Sequence, residues 1–227
     1  MPFTAPLEVI EAQTGENPTA TILIMHGLGA DGRDFLPVAE QLDLSSVGAV
    51  RFLFPSAPRM PVTINGGYVM PAWYDILGTD LVRREDEGGL RSAKAAVDML
   101  ITREIARGIA PRRIVVAGFS QGCAMALMTG LRFDQRLGGI AALSGYLPLA
   151  AHTAAERAAA NADVPIFMAH GTRDGVVPIG RAEASRDALQ ALGYAVDWHA
   201  YAMEHSVCPQ EIADLQRWLL TVLPALG

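Results

Sequence analysis

The pentapeptide Gly118-Phe119-Ser120-Gln121-Gly122 follows an apolar run and precedes a stretch with helical spacing. A serine held in a sharp strand-to-helix turn stands exposed at the edge of a sheet, and its neighbours must be nearly free of side chains. The pentapeptide alone is a weak signal, because a tight glycine turn with a capping serine has the same letters. Strand before and helix after strengthen it. A serine nucleophile needs a base and a group that orients the base, expected in the chain order serine, carboxylate, histidine.

Five histidines are available. His26 precedes the serine and suits another role, and His152 sits in an irregular Ala-rich segment. His170 ends a strand with no carboxylate between it and Ser120 in a suitable position. His199 lies inside a strand. His205 remains, in the loop between the last strand and the last helix, which leaves the same sheet edge as Ser120. Asp174 occupies the loop after the preceding strand, while Asp163, Asp187 and Asp197 fall at the wrong edge, in a helix and in a strand. Although Asp-Gly is also a common turn pair, Asp174 has the topology to accept Nδ1–H of His205 and turn its other nitrogen toward the serine.

Negative charge developing on a substrate oxygen needs donors. The Gln121 N–H, next after the nucleophile, is one. The glycines of His26-Gly27-Leu28-Gly29 let the main chain aim a second, assigned to Leu28. The competing reading of this segment as a phosphate loop fails, since no Gly-Lys-Ser/Thr follows and the G-x-G-x-x-G spacing is missing.

The elements that must carry these loops follow from periodicity. Short apolar runs at 20–25, 49–54, 113–117, 139–143, 164–169 and 195–201 read as strands, the second stopped by Pro55. Helical patterns lie at 32–42, 90–107, 121–131, 180–192 and 209–222. Strands lacking polar alternation belong to a parallel sheet buried on both faces. Alternation throughout predicts one α/β domain over 1–227, a mostly parallel central sheet with helices on both faces. Residues 55–89 break the rhythm as a lid-like insertion with a hairpin at 62–70 turning on Asn65-Gly66-Gly67. Met70, Trp73, Ile76 and Leu77 are expected to form an apolar, substrate-binding wall, with Trp73 the foremost contact. Core packing under a long loop is the competing role.

These residues resemble a known family, the α/β-hydrolase carboxylesterases that include acyl-protein thioesterases and lysophospholipases. The resemblance covers about residues 20–218. It rests on His26-Gly-Leu-Gly29, Pro61-Val-Thr-Ile-Asn65, Met70-Pro-Ala-Trp-Tyr-Asp75, Gly118-Phe-Ser-Gln-Gly122, Asp174 with Val177-Pro178, and Met203-Glu-His205. It implies an α/β-hydrolase fold, Ser120, Asp174 and His205 as a catalytic triad, and Leu28 and Gln121 as the oxyanion hole. It implies no cofactor and no metal, and it allows a homodimer. Two departures stand out: Cys123 where a second glycine is expected after Gly122, and Gly175 where a proline often follows the aspartate. Cys123 and Cys208 are read as packing residues.

Composition narrows the function further. The 227 residues are 51% apolar and 19% charged, with a formal charge of −6. An acidic balance argues against nucleic acid and against stable association with anionic membranes. Two distant cysteines and no visible signal peptide predict a reducing cytoplasm. The charge-poor stretch 137–155 is broken by Gly, Pro, Ser and His, so no spanning helix is expected. The resulting expectation is a serine carboxylesterase acting on short- to medium-chain acyl esters through an acyl-enzyme. The alternatives are an acyl-protein thioesterase or lysophospholipase, a serine peptidase, and an inactive binding module on the same fold, which an intact triad disfavours.

Overall fold

The computed structural model describes residues 6–78 and 85–225. Along the chain these form β1 (Glu8–Gln13), β2 (Ala20–Met25), α1 (Leu36–Glu40), β3 (Val50–Ser56), β4 (Arg59–Val62), β5 (Tyr68–Pro71), α2 (Glu87–Ala106), β6 (Ile114–Phe119), α3 (Gln121–Gly130), β7 (Gly139–Leu143), α4 (Ala150–Glu156), β8 (Ile166–Gly171), α5 (Ile179–Ala191), β9 (Val196–Tyr201) and α6 (Pro209–Val222). Seven strands make one sheet in the order β1-β3-β2-β6-β7-β8-β9. Every pairing is parallel except β1 with β3. The architecture is that of an α/β hydrolase.

Strand parity explains why the inner strands are apolar without alternation. Leu23, Met25, Val116, Ile140 and Met168 point into one core, with α2, α3 and α5. Ile22, Ile24, Val115, Ala117, Ala141 and Phe167 point into the other, with Phe35, Leu215, Trp218 and Leu219. Because each face is covered by helices, all six residues of β2 and of β8 are buried. Apolar side chains are therefore required at consecutive positions.

Several expectations need correcting. β3 runs through Pro55 to Ser56, where pairing with β2 has already ended at Leu53 and only β1 continues alongside. The missing proline N–H therefore costs no inter-strand bond on the β2 side. The edge strand β1 carries no continuous apolar run, because Glu8, Glu11 and Gln13 are exposed among its half-buried residues. The predicted helix at 32–42 is a 3₁₀ turn, Gly32–Phe35, followed by the five-residue α1. The hairpin begins earlier than its sequence suggests: β4 ends at Val62, and Thr63–Asn65 is a 3₁₀ turn. Asp75 accounts for this, its carboxylate accepting from Thr63 N–H and Oγ1–H. Helix α4 has no counterpart among the predicted helices; the N–H of Leu149, just before it, donates to the carboxylate of Glu85.

The joint between β6 and α3 leaves no room. A Cβ added to Gly118 would lie 2.1 Å from the Gly122 carbonyl oxygen, and one added to Gly122 would lie 2.1 Å from that of Met25. Gly122→Ala therefore drives backbone against backbone and should destabilise by about 1–3 kcal/mol or more. Gly175→Ala, whose Cβ would meet nothing within 4 Å, should stay within about 0.5 kcal/mol of wild type. Thermal unfolding of the two variants side by side checks the contrast.

Candidate active site

Ser120 sits at the top of β6 with φ 56° and ψ −114°, a conformation that L side chains rarely adopt. Such strain costs on the order of 1–3 kcal/mol and persists only where the surroundings enforce it. Here the enforcement comes from the Gly118 and Gly122 approaches and from the Ser120 N–H, which donates to Leu143 O at 2.9 Å. The Ser120 side chain is left half-buried at the sheet edge.

The loops after β8 and β9 bring the partners expected from the sequence. His205 Nε2 lies 2.9 Å from Ser120 Oγ, and its Nδ1 lies 2.7 Å from Asp174 Oδ2. The other oxygen of Asp174 accepts the N–H groups of Val176 and Val177, both at 2.8 Å. Burial works against ionisation of Asp174, but the His205, Val177 and Val176 donors outweigh it and hold the carboxyl below its ordinary range. An ionised Asp174 requires Nδ1 of His205 to carry the proton, which turns the lone pair of Nε2 toward the serine hydroxyl. The Phe119 ring packs 4.8 Å from the imidazole and limits its freedom.

The loop after β2 is braced from three sides. The buried His26 has Nδ1 2.7 Å from Gly27 O, while its Nε2 accepts the Ala57 N–H at 2.9 Å. That second bond fixes the neutral Nδ1–H tautomer, and burial moves the pKa of His26 down, in the same direction. Next along, Gly29 N–H donates to Pro71 O and Ala30 N–H to Gly27 O. Among the described residues the N–H groups of Leu28 and Gln121 donate to no protein acceptor. Gln121 opens α3, so its N–H lacks an acceptor one turn back. The Gln121 side chain acts separately, its Oε1 accepting Trp73 N–H at 2.8 Å and its Nε2 donating to Tyr74 O at 2.7 Å.

The expected apolar wall divides. Trp73 is 0% exposed and its Nε1–H donates to the His26 carbonyl at 2.9 Å. It cannot offer a face to a substrate, and its expected role is corrected to that of a core residue pinning the insertion to the β2 loop. The indole N–H had to be satisfied once buried, which is a cue that a local sequence pattern does not carry. Met70 is half-buried, with Sδ against Gly29. Ile76 packs on the core, and Leu77, 42% exposed, lines a shallow depression with Tyr74 and Tyr146. Residues 79–84 of the insertion lie outside the described residues.

Cys123 is fully buried against Gly145, where an added Cβ would lie 2.5 Å from its own. Burial pushes its thiol pKa up, so it stays protonated and is a poor nucleophile. Of the remaining histidines, His152 lies on α4 beside Glu156, and His199 lies 2.9 Å from Asp197. His170, which the chain order excludes as the base, is buried beside Asp174.

A nucleophile elbow at the C-terminal edge of a mostly parallel sheet, with histidine and aspartate delivered by the next loops, is the design of an α/β serine hydrolase. Residues 6–223 match the family model for phospholipase/carboxylesterase. Acyl-protein thioesterase 1 of Yarrowia lipolytica is 39% identical over 206 residues, covering 88% of this chain and 91% of that protein. The protein of that name from Mycosarcoma maydis is 41% identical, covering 96% and 97%. Among solved structures, Arabidopsis thaliana SOBER1 superposes with a TM-score of 0.86 at 32% identity, covering 90% of this chain and 99% of that one. Zea mays acyl-protein thioesterase 2 gives 0.84 at 27%, covering 95% and 99%. The chain belongs to the phospholipase/carboxylesterase family, and it is a serine hydrolase of carboxylic esters. No helix among the described residues is long and apolar enough to cross a membrane.

One buried acid behind the His205 loop affects stability. Glu211, in the first turn of α6, is 1% exposed, and the Cys208 N–H beside its carboxyl offsets that burial only in part. Burial pushes its pKa up to about 8. A raised pKa means the folded state holds a proton that the unfolded chain releases. The contribution is therefore complete below about pH 4.5 and is lost progressively as pH rises to about 8. Glu211→Gln removes that dependence, so the Tm difference between variant and wild type should move in favour of the variant from pH 5 to pH 8. A difference that stays constant across this range would contradict an ionisable Glu211.

Proposed function

We propose that the chain is an acyl-protein thioesterase-type enzyme that hydrolyses acyl thioesters through an acyl-enzyme on Ser120. The observation that carries the chemistry is the continuous chain from Ser120 Oγ through His205 to Asp174, with spacings of 2.9 and 2.7 Å. Ser120 Oγ attacks the acyl carbonyl carbon while His205 Nε2 takes the hydroxyl proton. Asp174 holds Nδ1–H and stabilises the imidazolium. The N–H groups of Leu28 and Gln121 receive the oxyanion. The thiol leaves with the proton from His205, and water activated by the same nitrogen then releases the carboxylic acid.

The choice of thioester over simple ester is supported by relatives named acyl-protein thioesterase 1 that are 38–41% identical across most of this chain. An apolar acyl chain also suits the exposed Ile64, Tyr68, Val69 and Leu77 of the insertion and Val176 beside Asp174. The second reading is a carboxylesterase of short- to medium-chain acyl esters, which the description of the family favours.

A matched panel of oxygen esters and thioesters, C2 to C16 in length, separates the two. Thioesters with long chains should rank highest in kcat/KM, whereas a maximum among short oxygen esters would establish the carboxylesterase instead. A fluorophosphonate probe should label wild type and not Ser120→Ala; labelling retained in that variant would remove Ser120 as nucleophile. Asp174→Asn presents His205 with the wrong donor and should lower kcat by roughly 10³–10⁴-fold, read from steady-state kinetics on folded protein.

A further inference from the structure

The buried His170 stands next to the reacting groups without belonging to the Ser120–His205–Asp174 chain. It lies on β8, all of whose residues are buried. The strand ends against the His205 loop: a Cβ on Gly171 would lie 2.4 Å from Glu204 O and 2.5 Å from Met203 O. His170 Nε2 is 2.7 Å from the Val177 carbonyl oxygen and 3.3 Å from Asp174 Oδ2, the oxygen that also accepts from His205. A backbone carbonyl only accepts, so Nε2 carries the proton. Val177 is thus clasped twice, its N–H by Asp174 Oδ1 and its C=O by His170.

We propose that His170 is a positioning residue of the acyl-transfer site: its Nε2–H holds Val177 and faces the Asp174 carboxylate, which keeps that carboxylate aimed at His205. The proposal rests on the reading of Ser120, His205 and Asp174 as the triad. Asp174 is the only buried acid in contact with two imidazoles among the described residues, and each of its oxygens faces donors. Freed from Val177 and His170, a carboxylate can rotate about its side-chain bonds and lose the line to Nδ1. Misplacement on the order of 1 Å in such a site costs about a hundredfold in rate.

The imidazole meets a requirement that lysine or arginine would not. During acyl transfer His205 gains a proton, and a fixed cation beside it would oppose that gain. The charged groups that act on the His170 ring are Asp174, His205 and, from α5, Glu183. Burial keeps its pKa down against the two acids, and its Nδ1 has no hydrogen-bond partner among the described residues to accept a second proton. His170 is therefore a neutral donor. Its electrostatic effect on Asp174 is to share the carboxylate charge that would otherwise act wholly on His205.

A merely structural histidine, there to satisfy the Val177 carbonyl, would affect stability and not turnover per folded molecule. The test uses the full chain as wild type, His170→Leu, His170→Gln and Ser120→Ala, with active sites counted by fluorophosphonate titration. His170→Leu should lose roughly ten- to a hundredfold in kcat with KM little changed. The acid limb of its kcat/KM–pH profile should move to higher pH, because the Asp174 charge then acts more strongly on His205. His170→Gln, whose amide nitrogen stands in for Nε2–H, should restore most of the rate and return the limb. Unchanged kcat and limb in His170→Leu, or equal impairment in the Gln variant, would overturn the positioning role. Should the Leu variant not fold, ¹⁵N-histidine NMR of wild type decides: His170 must be the neutral Nε2–H tautomer across the active pH range, and an Nδ1–H tautomer or a protonated ring overturns the proposal. Turnover retained in Ser120→Ala would instead overturn the triad reading, a result distinct from any of these.

Discussion

The structure depends on the close approach of backbone to backbone where α3 leaves β6. Gly118, Gly122 and the carbonyls of Met25 and His26 meet at distances that admit no side chain. This contact forces Ser120 into its positive-φ conformation and wedges the start of α3 against the end of β2. Two consequences follow from one constraint. The serine oxygen is presented at the sheet edge, and the loop that begins at His26 is brought beside the first N–H of α3. The Ser120 hydroxyl and the N–H groups of Leu28 and Gln121 thereby owe their placement to the same packing, and the strain at Ser120 is offset by a core that is buried on both faces of the sheet.

Around that joint the site is held almost entirely by neutral hydrogen bonds to backbone groups. His26 bridges Gly27 and Ala57, Trp73 reaches the His26 carbonyl, Gln121 clasps residues 73 and 74, and His170 reaches Val177. Burial disfavours the charged forms of His26 and His170, so these struts stay neutral while Asp174 is kept ionised by its donors. The ionic networks lie elsewhere. Glu104, buried beneath Arg51 and Arg107, ties α2 to the sheet, and Glu156 joins the exposed Arg91 to the buried side chain of Arg132. Asp174 is thus the carboxylate in contact with His205, set among struts that carry no charge of their own.

The insertion shows how a segment of irregular sequence is made part of a rigid site. Its hairpin is closed by Asp75 and its far end by Asp86, whose carboxylate accepts from Asp75 N–H and from Gly89 N–H at the start of α2. Trp73 and Gln121 fasten the middle to the reacting centre. Apolar side chains remain on the outer part, where Ile64, Tyr68, Val69 and Leu77 face solvent. The described part of the segment is thus tethered on its inner side and apolar on its outer side.

The sequence by itself determined the parallel sheet, the strand-to-helix context of Ser120 and the choice of Asp174 and His205 as its partners. These were legible because each depends on local pattern: apolar runs with no polar alternation, glycines flanking a serine, and the order in which loops leave one edge. What only the tertiary structure decided depends on partners distant in the chain. Trp73 became core because the His26 carbonyl lay within its reach, and Thr63–Asn65 became a turn because Asp75 captured Thr63. Strand β1 is held by its pairing with β3, and the entry to α4 by the bond from Leu149 N–H to Glu85. His170, legible only as a strand-end histidine, gained its place beside Asp174 from the fold of a loop that no periodicity describes. Burial and hydrogen-bond satisfaction are properties of the assembled chain, and they settled the role of each residue that local pattern left open.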